Sequence, residues 1–185
     1  MTYQPPLAGL EDVFQLQLPA HTSELLQFPQ VDTDTLRRHG KLFGRAGELI
    51  VESVLLRLGL ACVSVPEYLP FDCAMLHARG IIRVQIKTAS RARDDGFHFS
   101  ISKGYHRSPR GVRQYDQGDF DLLALVGLSE DVVKFTADRR RSQVIGADEI
   151  EVLRRRPGAS LEAALSDLGV DQMSHSSAGP LPFCY

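Results

Sequence analysis

The feature that most restricts the fold is an eight-residue run, Ile81-Ile-Arg-Val-Gln-Ile-Lys-Thr88, in which apolar and polar side chains alternate. In an extended strand successive side chains point to opposite faces. Ile82, Val84 and Ile86 therefore form an apolar face, and Arg83, Gln85 and Lys87 form the other. A second β-type run lies just upstream, Leu69-Pro-Phe-Asp-Cys-Ala-Met-Leu76, with one charged side chain, Asp72, among apolar neighbours. A carboxylate without a partner is costly in such surroundings. His77-Ala-Arg-Gly80 between the runs reads as a turn. A two-residue loop at 78–79 sets Asp72 opposite Gln85, and one at 79–80 sets it opposite Lys87. Opposed residues of antiparallel strands project to the same side, so either loop gathers Asp72, Gln85 and Lys87. A three-residue loop reverses the faces and scatters them.

Ahead of these runs, Asp32-Thr-Asp-Thr offers N-cap residues, and a helical stretch runs to about 58, stopped by Gly59. Gly40, Gly44 and Gly47 weaken its first half, each by about 1 kcal/mol, so its firm part is 44–58. Leu42, Ala46, Leu49, Ile50, Ser53 and Val54 line one side, and Val51, Leu55 and Leu58 widen the apolar coverage. What remains polar is a narrow stripe of Lys41, Arg45, Glu48 and Glu52. A helix apolar nearly all round is buried, so this stripe faces solvent or a site. Arg45 and Glu48 stand at the i, i+3 spacing of a side-chain ion pair.

Further β-type runs fall at 61–65, 97–102, 120–126 and 132–136, helical ones at 147–155 and 161–168, and 103–119 reads as a loop. Such an order predicts an α/β fold, a mixed β-sheet flanked by helices. Three segments are expected: an acidic N-terminal arm at 1–32, the main domain at 33–156, and an acidic C-terminal helix and tail at 157–185.

All 21 Lys and Arg residues lie between Arg37 and Arg156, against 15 acids in the same stretch, while both flanks carry acids and no bases. A central surplus of six positive charges suits a polyanionic partner. Arg91, Arg93, Lys103, Arg107, Arg110 and Arg113, with His106, are interspersed with Phe97, Phe99, Tyr105 and Tyr115. The basic residues suit phosphate contacts, and exposed aromatics would suit base stacking. Phe97 and Phe99 alternate as in a strand and fit a core better. Asp119 and Asp121 read as structural. No run approaches the roughly 18 apolar residues of a membrane span. Cys62, Cys73 and Cys184 form no metal-ligand spacing, and no signal-peptide pattern opens the chain. A reduced, cytoplasmic protein is expected. Apolar residues of the N-terminal arm, among them Phe14, Leu25 and Phe28, suit packing on the domain or an oligomer interface, and a homodimer or higher homo-oligomer is expected.

Gly44-Arg-Ala-Gly-Glu-Leu-Ile, Phe71-Asp72, Val84-Gln-Ile-Lys-Thr88 and Gly118-Asp-Phe-Asp-Leu-Leu-Ala-Leu come in the order and spacing of the PD-(D/E)XK nuclease superfamily. The chain most resembles the branch of group I intron homing endonucleases and Holliday-junction-resolvase-like proteins, where Gln-x-Lys replaces the usual acid-x-Lys. The resemblance covers roughly 44–136. Two departures stand out: Pro70 is one position early relative to Asp72, and Gln85 occupies the place of an acid.

The resemblance implies a restriction-endonuclease-like core and hydrolysis of DNA phosphodiesters, with Glu48, Asp72, Gln85 and Lys87 as catalytic residues. Mg²⁺, or Mn²⁺ as a substitute, would be held by Asp72, the Gln85 amide oxygen, the Ile86 backbone carbonyl and Glu48. Lys87 would orient the attacking water and offset charge developing on the phosphate. A non-cleaving nuclease-fold module for DNA binding or assembly is the alternative.

Overall fold

The protein is described here by a computed structural model covering residues 22–104, 109 and 111–170. The chain divides after His39 into two compact units. The smaller contains helices α1 (Thr22–Leu25) and α2 (Thr33–Arg38). Asp32 caps α2, accepting from the Asp34 and Thr35 amides at 2.9 Å each, as the sequence indicates.

The larger unit starts with α3 (Gly40–Arg57) and continues through β1 (Cys62–Ser64), β2 (Cys73–His77), β3 (Gly80–Ala89) and β4 (Gly96–Ser100). Next come β5 (Leu122–Gly127), a 3₁₀ turn, β6 (Val132–Thr136), β7 (Ser142–Gly146), α4 (Ala147–Arg155) and α5 (Gly158–Asp167). Five strands form a mixed sheet in the order β1-β2-β3-β5-β6, and β4 pairs with β7 in a second, two-stranded sheet. Only the β3–β5 pair of the large sheet is parallel. This is the expected α/β architecture, a mixed sheet flanked by helices.

Alternation along β3 decides the layering. Ile82, Val84 and Ile86 meet Val51, Val54 and Leu55 of α3 and Leu161 and Leu165 of α5 in one core. The opposite face of the sheet carries Leu123 and Leu125, which pack with Phe97, Phe99, Ile145 and Leu153 in a second core. Phe97 and Phe99 are thus core residues. The chain places α3 and α5 on one side of the large sheet and β4, β7 and α4 on the other.

Four local expectations change. The helical stretch from 33 breaks at His39, whose amide bonds back to the Thr35 carbonyl, and α3 then runs unbroken from Gly40. Its buried residues are Gly47, Val51, Val54 and Leu55, while Leu42, Leu49 and Leu56 stay at least half exposed. Contact with the sheet sets this rotation, because a Cβ on Gly47 would lie 2.0 Å from Thr88 Oγ1. The expected strand at 69–76 begins only at Cys73, since Pro66 and Pro70 cannot donate to a ladder. Strand β7 was not anticipated: five residues behind three consecutive arginines carry too little pattern to register alone.

Gly47→Ala should destabilise the protein by about 1–3 kcal/mol, overcoming the better helix propensity of alanine. Thr88→Ala in the same chain should recover most of that loss. Urea denaturation of both singles and the double variant measures the coupling; additive effects would mean the close approach does not matter.

Candidate active site

Asp72 sits where a ladder stops. The β2–β3 register runs from His77↔Gly80 to Cys73↔Val84, so the turn is the two-residue loop at 78–79. The Asp72 backbone is pinned on both sides: its amide donates to the Val84 carbonyl at 2.9 Å, and its carbonyl accepts from Val65 at 3.2 Å. Past Val84, β3 continues to Ala89 with only β5 beside it. The Ile86 amide, left without a strand partner on the β2 side, donates to Asp72 Oδ2 at 2.6 Å. A buried amide has to be paired, and here a carboxylate performs the task of a missing strand.

Gln85 joins the same group. Its Nε2 donates to Asp72 Oδ2 at 2.5 Å and to the Ile86 carbonyl at 3.1 Å. Two oxygens thus converge on one positively polarised nitrogen. That donor set, a carboxylate and a carbonyl, suits a hard cation, and a half-turn of the amide would add the Gln85 oxygen. The arrangement differs from the expectation in this respect: Gln85 presents its nitrogen to Asp72, so the amide fills the place a cation would take.

Glu48 comes from α3, which the bare Gly47 lets approach β3. Arg45 holds it at 2.7 Å, the i, i+3 pair legible in the sequence. Glu48, Asp72, Gln85, Lys87 and Thr88 line one cleft of about 360 Å³. Among the described residues no three or more His, Cys, Asp and Glu are placed to hold a metal ion together, so a cation here would rest on two carboxylates supplemented by a carbonyl and an amide.

Lys87 points from the same face of β3 as Gln85, but its ammonium donates to the Ser102 carbonyl at 2.9 Å. It also lies 5.1 Å above the centre of the Tyr115 ring, a cation–π distance. Burial lowers its pKa, and Asp72 works against that shift. Asp72 itself is pushed up to about 6, chiefly by burial and further by Glu48, against the lowering pull of the Ile86 amide, Lys87 and Gln85. Ser102 and Tyr115 could not be assigned to Lys87 from sequence, because no period connects a loop carbonyl to a lysine on another strand.

The basic residues divide. Arg91, Arg93 and Arg113 are exposed. Lys103 is mostly buried and bonded to Asp116 and Asp119, so its ammonium ties the loop together. Its main chain also pairs in both directions with Arg113. Arg107 and Arg110, together with Tyr105 and His106, lie outside the described residues. Asp121 grips Arg83 through Nε and Nη2 and also accepts from its amide. Asp119 likewise bonds the Lys103 ammonium and the Asp116 amide, so both acids read as structural hold neighbouring groups of the chain.

The raised pKa of Asp72 sets a pH dependence for the protein in chelator. The folded state keeps its proton up to about pH 6, whereas the unfolded chain releases it near 3.8. This group's stabilising contribution is therefore complete below about pH 4 and lost by the time pH passes about 6. Other carboxylates, such as Asp121 held low by Arg83, act in the opposite direction, so the test compares two proteins. Asp72→Asn should gain on the order of 2 kcal/mol relative to wild type between pH 4.5 and 7.5. Urea denaturation at both pH values measures it; a constant difference would show that Asp72 is not the group responsible.

Comparisons with known proteins add little to this geometry. No protein-family model and no curated protein matches the sequence. A solved structure of a bacterial homing endonuclease resembles it at a TM-score of 0.48 and 12% identity, over 64% of this chain and 96% of that one.

Proposed function

We propose that the chain is a divalent-metal-dependent DNA endonuclease of the PD-(D/E)XK type that hydrolyses phosphodiester bonds. The observation supporting this reading is the convergence of the Asp72 carboxylate and the Ile86 carbonyl on one electropositive point, with Glu48 and Lys87 in the same cleft. Asp72, the Ile86 carbonyl, Gln85 after rotation of its amide, and Glu48 directly or through water would hold Mg²⁺ or Mn²⁺. Such an ion, when bound, supplies Lewis-acid charge stabilisation and a more acidic water.

The chain's own groups have distinct tasks in this reading. Asp72 must be ionised to act, and the amides of Ile86 and Gln85 that it accepts from favour that form. Lys87 spends one hydrogen on Ser102; an ammonium has three to donate, and those left over serve to orient the attacking water and offset charge on the phosphate. Its lowered pKa makes it a readier proton donor. DNA is the partner this reading requires, and a homodimer would allow paired cuts on two strands.

A non-cleaving DNA-binding or assembly module is the second reading. One observation favours it: among the described residues the cleft is lined by two carboxylates, and the Gln85 nitrogen already hydrogen-bonds one of them.

Nicking of supercoiled plasmid and of a four-way junction, with Mg²⁺ against chelator, tests the first reading. Lys87→Ala and Asp72→Asn, which keeps an oxygen for the Ile86 amide, should each lower cleavage by about 10²-fold or more while leaving the fold intact. Wild-type-like cutting by either variant, or no cutting of any substrate by the wild type, would remove it. Gln85→Glu should raise Mg²⁺ affinity measured by calorimetry, because it adds a third carboxylate; weaker binding would exclude residue 85 as a ligand.

A further inference from the structure

Most arginines in the larger unit are already engaged. Arg83 holds Asp121, Arg139 bonds the Gln117 and Phe120 carbonyls, Arg140 pairs with Asp138, and Arg154 pairs with Glu130 and Glu151. Arg113 and Arg141 differ. Among the described residues neither enters an ion pair, both are exposed, and both line one hollow of about 320 Å³ with Ser100, Ser102 and Gln114. Asp119 feels the charge of Arg113 but is bonded to Lys103 and to the Asp116 amide.

The walls of this hollow are fixed by main-chain pairing. The Ile101 amide donates to the Arg141 carbonyl at 2.8 Å, and Lys103 and Arg113 exchange hydrogen bonds at 2.9 and 3.0 Å. Ser100 pairs with Ser142 at the end of the β4–β7 ladder. In the amide orientation that satisfies both groups, Gln114 accepts from the Arg141 guanidinium and orients it. Two guanidiniums that enter no ion pair among the described residues, two serines and an amide line this hollow, the donor set that suits a phosphate group.

Its position gives the phosphate an identity. Ser102 lines the hollow, and the same residue's carbonyl receives Lys87 from the cleft. We propose that the Arg113–Arg141 hollow binds a backbone phosphate of the DNA strand lying in the cleft, a neighbour of the phosphate to be cut. Resting on the endonuclease reading for its substrate, the subsite anchors the strand beside Lys87 and so sets its register over Asp72. Neither guanidinium reads base identity, so the anchor is indifferent to sequence.

The test is duplex-DNA affinity by fluorescence anisotropy in EDTA, from 50 to 300 mM salt, for wild type, Arg113→Ala, Arg141→Ala and the double variant. Each neutralised phosphate contact contributes about 0.9 to the slope of log affinity against log salt. Each single substitution should flatten the slope by about one and the double by about two, with melting temperatures unchanged. Arg140→Ala, next in sequence but bonded to Asp138, should leave the slope as it is. Equal slopes for wild type and the double variant would overturn the subsite, as would an equal loss in Arg140→Ala, which would reduce the effect to net charge. Inorganic phosphate displacing DNA at micromolar concentration would overturn the assignment in favour of a free-anion site. Failure of the two proposals is separable: DNA binding with these slopes but no cleavage sinks the endonuclease and keeps the subsite, and the reverse sinks the subsite alone.

Discussion

The bond from the Ile86 amide to the Asp72 carboxylate is the interaction on which this structure turns. A sheet normally pairs every main-chain group of an interior strand. Here two prolines end the β2 ladder early, and β3 runs on half-paired. A side-chain carboxylate closes the account for Ile86 and is thereby immobilised, with its own backbone clamped by Val65 and Val84. The same interruption leaves the Ile86 carbonyl facing a cleft rather than a strand, where it accepts from the Gln85 amide.

The second determinant is the two-sidedness of β3. Ile82, Val84 and Ile86 are buried against α3 and α5, and the odd-numbered residues between them project to the opposite face of the sheet, where β4, β7 and α4 pack. Between the two layers, near the open edge, burial is deep enough to raise the Asp72 pKa and lower that of Lys87. Both shifts oppose charge. A carboxylate and an ammonium that are each uncomfortable as ions favour whatever brings compensating charge, a cation for the first and a phosphate for the second.

Much of this was legible in the sequence, and the reasons are specific. Period-two alternation from Ile81 to Thr88 showed which side chains share a face, and a turn of even length put Asp72 on the side of Gln85 and Lys87 without deciding which of them it opposes, because register errors of one residue would have exposed three branched apolar side chains. The Arg45–Glu48 pair followed from spacing alone. Less accessible were the contacts that depend on two elements approaching in three dimensions. The rotation of α3 was misjudged because its leucines are distributed all round the helix, and only the collision between Gly47 and Thr88 selects a face. The partners of Lys87 lie on a loop that carries no period. The orientation of the Gln85 amide depends on hydrogen bonds that a strand pattern does not encode, and β7 was too short to announce itself.

Strands β3 and β5 are parallel neighbours, so the chain must travel from one end of the sheet to the other between them, and it uses residues 90–121 to do so. That crossover contains β4, the Lys103–Arg113 clamp and the loop it closes. Because the clamp fixes the base of the loop, closure entropy changes only slowly with the number of residues beyond it. Gln85 and Lys87 take their spacing from β3 alone, two residues apart on one strand, and β3 pairs with β5 from Val84 to Ala89. Strand pairing in the sheet and closure of the crossover thus rest on separate main-chain bonds, so a change of length inside the crossover costs entropy rather than sheet pairing.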